Sequence, residues 1–240
     1  MERFSLLAPA LCVAATIAYV PLARHGGACL RSDRPALRAR DNSSSAGRLI
    51  LVFGTIPPAA MCRNAHWQAA DLSQQWFAGA DCTDAQLQGA TLNGANFSNA
   101  NLSGAQMQDA TMWFVNLDYA RLLKANLRHA DLARASLRQA SLEGADLRRA
   151  SFKAANMTQA NLLGANVRDT NLTAANLQNA ILTGLVMDGV NFTRANLAGA
   201  DLSRADLRLA RGLTAAQIKL ANTDSGTRMP EGIPATADAP

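Results

Sequence analysis

Aromatic residues make up only 5% of this 240-residue chain, and histidine occurs three times, as His25, His66 and His129. So few rings exclude the bulky core of an ordinary globular enzyme. Three scattered histidines leave little material for a His-based catalytic or metal site. The four cysteines fall in no Cys/His metal spacing, and neither a Gly-rich phosphate loop nor a pair of catalytic carboxylates is present. Acidic excess is lacking too: 23 Lys and Arg stand against 18 Asp and Glu, which argues against a DNA-like surface. Composition therefore predicts a protein that is not an enzyme and has no catalytic residue, cofactor or metal. What is plentiful is small and aliphatic: the apolar content of 49% is ordinary for a folded chain, but Ala and Leu dominate it.

The charge is unevenly placed. Residues 1–59 hold seven Arg against Glu2, Asp33 and Asp41, whereas residues 60–210 hold 13 Lys and Arg against 12 Asp and Glu. The basic character belongs to the leader, so specific nucleic-acid binding by the folded body is not expected. Phe4 to Ala23 is a 20-residue run without a charge, long enough to span a bilayer as a helix. Arginines follow it at Arg24, Arg31, Arg34, Arg38 and Arg40, which favours keeping that side in the cytoplasm. After a Ser/Gly linker comes Arg48 and then LILVFGTI, which reads either as a minimal export signal or as a strand or cap on the domain's N-terminal end. The chain thus divides into a hydrophobic leader and linker (1–47), a short apolar segment (48–59), a repeat body (60–210) and a C-terminal cap with a tail (211–240). Export to the cell envelope, or a membrane anchor through residues 4–23, is the expected location, with the cytoplasm as the alternative.

From Ala60 to Leu209 the chain repeats every five residues without insertion. All 30 central positions, from Cys62, Trp67 and Leu72 through Leu202 and Leu207, are apolar. Two residues before each stands Ala, with few exceptions (Gln75, Val115, Thr170, Leu185 and Val190), and a short polar residue lies between. On an α-helix five residues advance the chain by about 500°, which would spread the central residues around the whole circumference. On a flat strand the odd spacing would flip each one to the opposite face. The pattern needs a change of direction inside every repeat. Ala and the central residue point inward together, and the next two residues, often Gly, Asn or Asp at the second, turn the corner. Repeated, this winds a tube that is apolar inside and polar outside.

The run A-(D/N)-L-x-x resembles the pentapeptide-repeat family. The resemblance covers about 150 of the 240 residues and implies an all-β fold, a right-handed, four-sided parallel β-helix with four repeats per coil. Thirty repeats then make about seven and a half coils, and residues 20 apart stack. One inner column becomes Leu72, Leu92, Met112, Leu132, Phe152, Leu172 and Phe192. Each buried Leu-sized side chain is worth roughly 1.5–3 kcal/mol, so the core needs no aromatic bulk. Open coil ends need caps. Thr214-x-x-Gln217 resembles a capping box that opens a short closing helix, and Trp67 reads as part of the N-terminal cap.

Stacking also defines the candidate sites. Cys62 and Cys82 fall 20 apart in one column, a spacing that suits a disulfide in an exported protein and two small buried hydrophobes in the cytosol. An outer column brings Arg128, Arg148 and Arg168 together with Arg149 at the neighbouring corner, a candidate face for an anion or an acidic partner. Trp113, Phe114, Tyr119 and Leu123 occupy positions expected to face water or corners, a candidate contact patch that would also serve a homodimer. The leading expectation is a non-catalytic scaffold, exported or tethered, that binds a protein or an anionic surface through one face of the rod. The family implies an alternative, because some members mimic duplex DNA and protect DNA gyrase from quinolones. Their rods are strongly acidic, and this one is +1.

Overall fold

The computed structural model describes residues 62–234. The leader, the apolar segment 48–59 and both export readings lie outside the described residues. From 62 to 205 every repeat makes the same turn. The N–H of the Ala position donates to the carbonyl of the preceding central residue, as in Ala90 to Leu87 at 3.0 Å, and closes a tight turn. The third residue of that turn has a left-handed φ, for example +58° at Asp109, as a type II turn requires. This is why Gly, Asn and Asp are frequent there. The Asn or Asp ahead of each central residue has a local task as well. Its Oδ1 accepts the N–H two residues on, as Asn96 does from Ser98 at 2.9 Å and Asn116 from Asp118 at 3.0 Å.

Four such turns make a 20-residue coil, and parallel bridges join each coil to the next at that interval, Thr91 to Thr111 and Asn116 to Ser136 among them. The rungs alternate: Leu72 N–H donates upward to Thr91 O at 2.8 Å, and Thr91 N–H donates downward to Ala70 O at 2.9 Å. The central and Ala columns fill the interior and are almost wholly buried, including the expected Leu72-to-Phe192 column. The four faces are named below by four successive inward residues: Met112, Leu117, Leu122 and Leu127. Corners follow each of them in turn, at Trp113/Phe114, Asp118/Tyr119, Leu123/Lys124 and Arg128/His129.

Exceptions at the Ala positions are graded by size. Thr170 is buried and satisfied, its hydroxyl donating to Leu147 O at 2.9 Å. Val115 stretches its surroundings slightly, with Phe114 N–H to Ala133 O at 3.2 Å and its own turn bond at 3.3 Å. Leu185 does more. Opposite it the ladder opens: among the described residues, the N–H groups of Gly164, Val167 and Val186 lack the inter-coil acceptor that the equivalent residues one coil below all have. A shallow cleft of about 350 Å³, lined by Gly164, Ala165, Asn166, Arg168, Gly184, Leu185 and Val186, marks the spot. A Leu in a column of Ala overfills the tube and pushes its wall apart.

The ends are closed differently. Trp67 packs against Phe77 at 5.4 Å between centroids, and Phe77 stacks on Phe97 at 4.5 Å, so the first coils hold the largest rings. At the other end α1 (Ala215–Leu220) begins with the expected capping box, Thr214 and Gln217 exchanging side-chain and backbone bonds. Ile218 plugs the core, and the Gln217 amide donates to Phe192 O and to Ala195 O, the second a carbonyl of the kind that the next coil pairs elsewhere in the rod. Among the described residues no helix is long and apolar enough to cross a membrane.

Candidate functional site

The Arg column is a self-satisfied ladder. Arg148 binds Asp146 on its own coil at 2.6 Å, Arg168 binds Asp188 one coil up at 3.0 Å, and Arg208 binds Asp206 at 2.7 Å. Arg149 lies 3.9 Å from Asp169. Among the described residues only Arg128 in this set has no carboxylate within 4.0 Å. The side-chain bond from Arg148 holds Asp146 below the usual carboxylate range against the opposing effect of burial. Arg208 does the same to Asp206, whose pKa falls to about 2. Along the Leu127 face and its outer corner, five Arg meet five Asp, because Asp109 joins the four paired acids above. The repulsion between stacked arginines that an anion would relieve is relieved by the chain's own carboxylates.

The aromatic patch divides. Trp113, Phe114 and Tyr119 are each about half exposed, at 46%, 58% and 50%, and bound the Leu117 face at its two corners. Leu123 is only partly exposed and turns onto the next corner, two away from Trp113. Trp76, 48% exposed, belongs with the aromatic group, because it occupies the polar position of the Leu117 face two coils below Asn116. A Trp where the repeat wants Asn or Asp was its legible signal, and placing it modulo 20 would have put it on this face. Every exposed aromatic among the described residues therefore lies on the Leu117 face or its corners.

The chain holds these rings in place. The Trp113 indole N–H donates to Asp131 at 2.6 Å, and its backbone N–H donates to Asn93 at 2.9 Å. The Arg134 guanidinium stands 5.5 Å from the Phe114 ring centroid, a cation–π contact. Phe114 and Tyr119 occupy the left-handed turn position, at φ +57° and +60°, where bulky side chains are least at ease. Between them Asp118, 4% exposed, accepts from Ser136 at 2.6 Å and from the Arg138 backbone and guanidinium. Burial alone would raise the Asp118 pKa; the bonds from Arg138 and Ser136 outweigh it and lower it.

The pentapeptide-repeat family model matches in eight copies across residues 60–208, well over half of the chain. The chain belongs to the pentapeptide-repeat family. Among solved structures, this pentapeptide-repeat protein is similar to trypsin-treated QnrB1, a plasmid-mediated fluoroquinolone resistance protein, at 17% identity and a TM-score of 0.55, over 75% of this chain and 88% of that one. Full-length QnrB1 gives 18% and 0.52, over 72% and 92%. HetL, a pentapeptide-repeat protein involved in heterocyst differentiation regulation in the cyanobacterium Nostoc, is 28% identical at a TM-score of 0.34, over 69% and 83%. No curated protein sequence matches. The fold is thus the right-handed β-helix that the sequence implied.

In this pentapeptide-repeat rod, Cys62 and Cys82 stack as expected, with Cα atoms 4.4 Å apart and the sulfurs joined, clipping the first coil to the second. Cys62 and Cys82 are buried, so as thiols they would be protected rather than reactive. No group of three or more His, Cys, Asp or Glu is arranged to hold a metal among the described residues.

Proposed function

We propose that this protein is a non-catalytic binding scaffold, exported or membrane-tethered, that engages a macromolecular partner through the Leu117 face of its rod. One observation carries the reading: the four aromatics exposed among the described residues share that face and its corners, two of them at turn positions where folding alone favours Gly, Asn or Asp. A tube filled by its own side chains offers no enclosed pocket for a small substrate. The family's DNA-mimic role receives no support from charge, since 13 cations against 12 carboxylates do not imitate a polyanion. Likeness to QnrB1 at 17% identity concerns the fold alone.

The test is the native state of the protein in its own cells, wild type against W113S/F114S/Y119S. The wild type is expected to sediment with the cell envelope or to migrate in an assembly larger than itself. The variant is expected to be released from that assembly while remaining folded. Identical behaviour of the two chains would contradict the reading, and N-terminal sequencing of the recovered protein reports whether the leader is retained.

A further inference from the structure

The Leu117 face differs from the other three in charge as well as in aromatic content. With its two corners it carries Arg134, Arg138, Lys153 and Arg194 against a single carboxylate, Asp118, a net of +3. The remainder of residues 60–210 carries nine cations and eleven carboxylates, a net of −2. All four cations of this face are exposed, and its only acid is buried under Arg138. Along the rod the order is fixed: Trp76 stands in the first coil, Trp113, Phe114 and Tyr119 in the third, and the cations from the fourth to the seventh. At about 4.8 Å per coil these groups extend over roughly 29 Å.

We infer that this face lies against an anionic lipid surface, which deepens the tethered-scaffold reading above and rests on it. The chemistry matches on three counts. Trp, Tyr and Phe presented on two corners and the flat wall between them suit the headgroup boundary, where an aromatic body is buried and its polar edge stays wet. Exposed Arg and Lys beside them are attracted by acidic headgroups. A planar anionic surface touches one face only, so the net −2 on the other three faces them away and orients the rod. A second copy of the same face is disfavoured, because a symmetric contact would set +3 against +3. The Arg128–Arg168 column is unsuited to the task, since its charges are already matched by Asp.

The three tryptophans make the test specific: Trp67 is buried in the first coil, and only Trp76 and Trp113 reach solvent. Full-length protein is mixed with vesicles of phosphatidylcholine with and without phosphatidylserine, and with vesicles whose acyl chains are brominated. Binding through the leader alone leaves these indoles in water. Docking of the face blue-shifts their emission and exposes it to bromine quenching, only when phosphatidylserine is present and less at high salt. The triple variant Arg134→Gln, Lys153→Gln, Arg194→Gln, which leaves the Asp118–Arg138 pair intact, is expected to lose the shift at roughly fivefold lower affinity per charge removed.

No shift or quenching at any phosphatidylserine content overturns the proposal, as does an equal shift on phosphatidylcholine alone. A shift produced instead by a single-stranded oligonucleotide, with none on vesicles, overturns it in favour of a nucleic acid. If vesicles have no effect while W113S/F114S/Y119S still leaves its native assembly, the lipid is wrong and the scaffold reading stands. If neither changes, both fall.

Discussion

Arg138 sits one coil above Asp118 and binds it three times, through its backbone N–H at 2.9 Å, Nε at 2.9 Å and Nη2 at 2.5 Å. The pair spans two coils of the aromatic face with the carboxylate buried and the guanidinium outside. Arg138→Gln leaves that carboxylate under-compensated. A loss of about 1–2 kcal/mol in urea unfolding at neutral pH is expected, less than for a fully buried pair because Arg138 is half in solvent. Without the guanidinium, burial is opposed only by the Ser136 and backbone bonds and the Asp118 pKa rises from its wild-type value, so the loss should shrink as pH falls and the acid takes up its proton. A penalty independent of pH would contradict this assignment.

The aromatics at the left-handed turns can be separated from folding. Phe114→Asn and Tyr119→Asn place a residue that tolerates positive φ where a bulky one now stands. Each variant should be as stable as the wild type or more so, by up to about 1 kcal/mol in thermal or urea unfolding. A clear loss of stability would mean that the rings serve corner packing, and the functional reading of the face would lose its main support.

Leu185 opens the wall, and amide exchange can see it. Gly164, Val167 and Val186 should exchange faster than Gly144, Leu147 and Asn166, their counterparts one coil below, which are hydrogen-bonded. Leu185→Ala should slow them by letting the rungs close. Its net cost should stay within about 1 kcal/mol, where truncation of Leu142 in the intact ladder costs about 2–5 kcal/mol. Equal protection of both sets of amides in the wild type would show the ladder to be continuous.

The Cys62–Cys82 link closes a loop of 20 residues. If the protein is exported, Cys62 and Cys82 of the unfolded chain should resist thiol labelling until reductant is added, and Cys62→Ala/Cys82→Ala should lower stability by about 3 kcal/mol, concentrated in the first coil. Labelling of Cys62 and Cys82 without reductant, in protein recovered from its own cells and then unfolded, would place the chain in a reducing compartment and count against export.

Acid should loosen the rod. Asp206 is held at about 2 chiefly by the Arg208 side-chain bond, against burial and with help from the charges of Arg208 and Arg228. Asp81, Asp118, Asp146 and Asp201 are lowered as well. A depressed folded-state pKa stabilises above the unfolded value near 3.9 and ceases to do so as pH falls through the folded value. Thermal midpoints should therefore be flat above about pH 5 and decline from pH 4 toward 2. Asp206 alone accounts for on the order of 1–2 kcal/mol, and Asp206→Asn should flatten part of the decline.

Much of this was legible because the repeat is a geometric instruction. Central residues and Ala positions are read correctly as inward, and Thr214-x-x-Gln217 announces α1. Cys62 and Cys82 fall together once 20 residues make a coil. What failed did so for a common reason: neighbours in a coil are not neighbours in sequence. Leu123 follows Tyr119 closely in the chain but sits on another corner, while Trp76 lies 37 positions from Trp113 and shares its face. The Arg column reads as unpaired in sequence because its partners are two residues back, as Asp146 is to Arg148, or a coil ahead, as Asp188 is to Arg168. The open ladder at Leu185 has no local signature beyond a large residue in an Ala column, since Val115 and Val190 break the same rule without opening it.

The most direct measurement is oxidative footprinting of Trp76, Trp113 and Tyr119 in intact cells against the purified chain, with His129 at the Arg corner as the internal reference. The account predicts strong protection of the three aromatics in the cell and equal labelling of His129 in both. Equal labelling of the aromatics in cell and tube would show the Leu117 face to be free, and would contradict its role as the binding surface.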